Sequence, residues 1–62
     1  MEYRTRLFAD SDLHASNPLE EAYHDTLESA DAWLDTYLAP GYYAHLDGKD
    51  GDGWEDLGEY CP

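Results

Sequence analysis

Val and Ile are absent from this 62-residue chain, and only three of its residues are Lys or Arg. Without the aliphatic β-branched residues, a core has to be assembled from Leu, Ala and aromatic rings, and strands lose their usual composition. Uninterrupted apolar stretches reach only two or three residues, too short for a transmembrane helix, which needs ~20. The single cysteine, Cys61, excludes an internal disulfide framework. Met1 is followed by Glu2, Arg4 and Arg6 without an apolar h-region. No secretory signal is therefore expected, and the chain reads as a cytoplasmic protein. Its length suits one small domain over residues 1–62, with no room for a two-domain enzyme or a repeat array.

Negative charge is in excess. Fifteen Asp and Glu give a formal charge of −12. The imbalance is uneven: residues 1–9 hold Arg4 and Arg6 against Glu2, whereas the rest of the chain sets fourteen acids against Lys49. Nucleic acid and anionic membrane faces carry the same sign, so direct binding to either is not expected. High net charge is also a signature of disorder. Against it stand nine aromatic residues and eight Leu; aromatics bury ~150–250 Å² each and can close a small core.

Residues 2–9 alternate as a strand does, with Tyr3, Thr5, Leu7 and Ala9 on one face and Arg4, Arg6 and Phe8 on the other. Residues 10–16 read as a loop. Asn17 and Pro18 then offer a helix cap and first helical position, with Glu20 three residues after the cap. Apolar residues from Leu19 through Leu38 recur every three or four positions, which predicts one helix from about Pro18 to Ala39. The alternative is a break near Asp25, with Thr26 capping a separate helix. Pro40 and Gly41 end it. Residues 42–46 read as a strand, 47–53 as a hairpin loop, 54–57 as a returning strand and 58–62 as a tail. The expected fold is α+β: a small β-α-β-β domain, with one amphipathic helix packed on a short antiparallel sheet.

On the expected helix, Glu20, Glu21, Asp25, Glu28, Asp31 and Asp35 fall within a sector of about 140°. No Lys or Arg lies among them. A face kept acidic for solubility usually mixes signs and gains from i,i+4 ion pairs; this one accepts like-charge repulsion instead. Six carboxylates over about 22 Å of helix give one per ~4 Å, close to the ~3.4 Å phosphate spacing of a nucleic-acid strand. The pattern points to a cationic partner, with Asp50 and Asp52 widening the field and Tyr43 supplying an aromatic contact.

In size, charge and β-α-β-β pattern, the chain resembles small acidic phage-encoded inhibitors, including DNA-mimic and several anti-CRISPR proteins. That resemblance implies a non-enzymatic inhibitor in the bacterial host cytoplasm. It would occupy a basic nucleic-acid-binding surface, such as that of a CRISPR surveillance complex, and block target DNA. The run from Thr26 to Leu34, followed by Tyr42-Tyr43-Ala44, also resembles small phage proteins that bind host RNA polymerase. An acidic antitoxin-like module is a third reading.

Catalytic and metal chemistry find little support. Asp50, Asp52, Gly53 and Glu59 match four positions of a calcium loop, but Gly48 stands where its first ligand belongs. Glu20, His24 and Glu28 would share a helix face without a third element to close a metal site. His24 is expected to be exposed. Cys61 has no adjacent base, and the serines show no nucleophile motif. The expectation is a protein without catalytic residues, metal or cofactor.

Overall fold

The structure is a computed structural model that describes residues 2–10 and 17–62. Four strands and one helix follow in the order β1 (Glu2–Ala9), β2 (Glu20–His24), α1 (Leu27–Tyr37), β3 (Tyr42–Asp50) and β4 (Gly53–Tyr60). The strands form one antiparallel sheet in the order β2-β1-β3-β4. The expected β-α-β-β arrangement is therefore corrected to β-β-α-β-β: mostly sheet, with one short helix.

The correction arises at residues 18–26. Glu20–His24 pair with β1, placing Ala22 opposite Thr5 and His24 opposite Tyr3. A helix through this segment would have stacked Glu21 on Asp25 at i,i+4 and run through His24, Asp25 and Thr26, three weak helix formers. Pairing instead satisfies the backbone edge of β1. The helix starts later. Thr26 is its N-cap, with extended backbone, and its Oγ1 accepts a hydrogen bond from the Ser29 N–H at 3.1 Å. The Leu38 N–H closes the last turn by donating to the Leu34 carbonyl at 2.8 Å. Ala39–Tyr42 then turn back, the Tyr42 N–H donating to the Ala39 carbonyl at 3.1 Å. Pro40 at the second position and Gly41 at the third, with φ +93°, match a type II turn.

The expected hairpin loop is shorter than the sequence suggests. Strand β3 continues to Asp50, which pairs with Gly53, so only Gly51 and Asp52 form the loop. Gly51 supplies the positive φ (+83°) that a II′ hairpin needs at its first central residue. The expected tail is also strand up to Tyr60. Between Leu46 and Asp47 the β3–β4 register shifts, leaving Leu57 as the extra residue of β4. Residues 11–16, most of the expected loop, lie outside the described residues.

Helix α1 packs against β1 and β2, and Leu34 reaches the core cluster of Leu7 and Ala44. Trp33 and Leu38 flank it. His24 ties three elements together. Its Nε2 lies 2.9 Å from the buried Thr5 Oγ1, its Nδ1 3.2 Å from Ser29 Oγ, and its ring meets Trp33 edge-on. It is half-buried rather than exposed.

Candidate functional site

Register places Arg4, Arg6 and Lys49, all three basic residues, on the sheet face opposite α1. Asp47 stands opposite Arg4 on the neighbouring strand. Its Oδ2 accepts from Arg4 Nε at 3.0 Å and lies 3.0 Å from Arg4 Nη2 and 2.9 Å from Arg6 Nη2. The Asp47 side chain is only 4% exposed. A carboxylate this deep needs its charge compensated, and two guanidinium groups do so. The arginines also cover rings: Arg4 sits 4.4 Å from the Trp54 centroid and Arg6 5.8 Å from that of Phe8. Lys49 stands 5.7 Å from the same Trp54 ring. Arg6 Nε is buried without a hydrogen-bond partner.

This face is therefore largely closed on itself. Tyr43, expected to supply an aromatic contact to a partner, is buried and stacked on the buried Phe8 at 5.2 Å. At 8% exposure, Tyr43 offers little ring to a partner. His45 meets both rings edge-on and lies 3.4 Å from Glu59 through Nε2.

The consequence is electrostatic. Two of the three basic side chains are committed to a buried acid, while the other acids among the described residues are exposed. Glu20, Glu21, Asp25, Glu28, Asp31, Asp35, Asp50 and Asp52 are all exposed. Among the described residues, none of these eight is in an ion pair. They do not form one helical stripe, however. Glu20 and Glu21 point to opposite faces of β2, Asp25 lies in the turn before α1, and Asp50 and Asp52 lie at the hairpin tip. Only Glu28, Asp31 and Asp35 share the helix. The phosphate-like spacing along a long helix is thus replaced by an acidic surface spread over a helix, an edge strand and a hairpin.

Within that surface, Glu21 accepts a hydrogen bond from the Tyr23 hydroxyl at 2.7 Å. This bond holds the Tyr23 pKa above its ordinary value. The proposed helical grouping of Glu20, His24 and Glu28 is divided between β2 and α1. Among the described residues, no three metal-ligating side chains come together.

The sequence reading missed the Arg4–Asp47–Arg6 cluster because the Asp-Gly pair at 47–48 looks like a turn. One signal was available: alternation puts both arginines on one face of β1, and few other cations exist in the chain. No helix among the described residues is long and apolar enough to cross a membrane. In comparisons with known proteins, no family model, curated protein or solved structure matches the chain.

Proposed function

We propose that the protein is a non-enzymatic inhibitor that covers a basic nucleic-acid-binding surface, such as that of a bacterial CRISPR surveillance complex, with carboxylates in place of phosphates. One observation carries this reading: the buried Asp47 takes up both arginines, while among the described residues Glu20, Glu21, Asp25, Glu28, Asp31, Asp35, Asp50 and Asp52 are exposed and in no ion pair. A protein that needed charge only for solubility could have paired these acids across its strands and helix turns. Leaving them unpaired maintains a strong negative field, which speeds encounter with a cationic surface and rejects anionic ones. The protein would act in the cytoplasm, where such complexes meet DNA.

The test is displacement. A basic protein captured by this chain should be released by duplex DNA and by salt. Charge reversal at Glu28, Asp31 and Asp35 should weaken its capture.

A further inference from the structure

We infer that the groove between α1 and the C-terminal end of β4 takes an arginine side chain of the basic partner. The inference rests on the reading above and gives it an anchor point.

The helix packs on the β2-β1 half of the sheet, leaving a concavity of about 450 Å³ on the other side. Asp31, Leu34, Asp35, Leu38, Tyr60 and Pro62 line it. Its composition is divided. Leu34, Leu38 and Tyr60 give it an apolar lining, and Asp31 and Asp35, one helical turn apart and exposed, add two carboxylates.

Like charges at i,i+4 repel on a helix, so Asp31 and Asp35 carry a standing cost that a bridging cation removes. No cation of the described chain does so. Arg4, Arg6 and Lys49 belong to the opposite sheet face. Arginine fits better than lysine. Its methylene stem can lie on Leu38, its planar head can stack on Tyr60, and its fork of donors can reach both carboxylates. None of the other described surface acids lines this groove, Glu28 on the same helix included.

The test is an NMR titration of the intact protein with N-acetyl-arginine amide, beside the uncharged N-acetyl-citrulline amide and a hexa-arginine peptide. Arginine amide should bind saturably, with a dissociation constant on the order of 1 mM, and should shift the resonances of Asp31, Asp35, Leu38 and Tyr60. Citrulline amide should not. The exposed pair D31N/D35N should weaken arginine amide binding at least about tenfold, and Y60A about threefold, whereas E20Q/E21Q should leave it unchanged. Shifts spread evenly over Glu20, Glu28, Asp50 and Glu55, or an unaffected D31N/D35N variant, would overturn the groove as anchor. If hexa-arginine still bound in that case, the wider acidic-surface reading would stand. If hexa-arginine did not bind at all, both would fall.

Discussion

Arg6 Nη2 lies 2.9 Å from Oδ2 of Asp47, an atom already bonded to Arg4. Arg4 and Arg6 of β1 thus converge on one buried carboxylate of β3. This arrangement fixes β1 against β3 and withdraws cations from the surface together.

Replacing Asp47 by Asn should leave two guanidinium groups facing a neutral amide. Breaking such a pair on one side costs about 3–5 kcal/mol when fully buried. The arginines keep 20% and 29% exposure, so about 2–4 kcal/mol is expected, a large share of the stability of so small a domain. Urea unfolding of D47N checks this. A midpoint equal to that of the wild type would show that the cluster is not structural.

His24→Ala should remove the closer partner of the buried Thr5 Oγ1, leaving only its 3.5 Å bond to the Ala22 carbonyl, and loosen the junction of β2 with α1. A destabilisation of about 1–3 kcal/mol is expected. Hydrogen exchange should locate it, with amides of β2 and the first turn of α1 losing protection before those of β3.

Tyr23 gives a pH signature. The hydrogen bond to Glu21 stabilises the neutral phenol and raises its pKa in the folded state. Its contribution to stability is therefore present below the ordinary tyrosine pKa and is lost as pH rises through the folded value. A site-resolved NMR titration should show Tyr23 ionising at higher pH in the wild type than in E21Q. Identical titrations in the two proteins would remove Glu21 as the cause.

The first strand was legible because its alternation is strict: Thr5 and Leu7 face the helix, and Arg4, Arg6 and Phe8 face away. The Thr26 cap was legible too, as the alternative to a long helix. Strand β2 was hidden because Leu19, Ala22 and Tyr23 satisfy a helical repeat, while Glu21 and Tyr23 against Ala22 and His24 satisfy an alternating one. Five residues cannot separate the two periods; pairing with β1 decides. The far end of β4 was obscured by its bulge at Leu57 and by Gly58, which resemble a breakdown of strand pattern. As for the candidate site, its chemistry was legible as unpaired acid. Its shape was not, because it depends on which half of the sheet the helix covers.

The most direct measurement of the central claim is DNA displacement of a captured partner. The protein, immobilised, is exposed to bacterial lysate in low salt, and the retained protein is identified and challenged with duplex DNA. The E28K/D31K/D35K variant is run in parallel; three reversals of two charges each bring the formal charge from −12 to about −6. The account predicts a retained protein with a basic nucleic-acid-binding surface, release by DNA and by moderate salt, and capture weakened at least about tenfold in the folded triple variant. A partner that stays bound in excess DNA, and that the folded triple variant captures equally well, would contradict it.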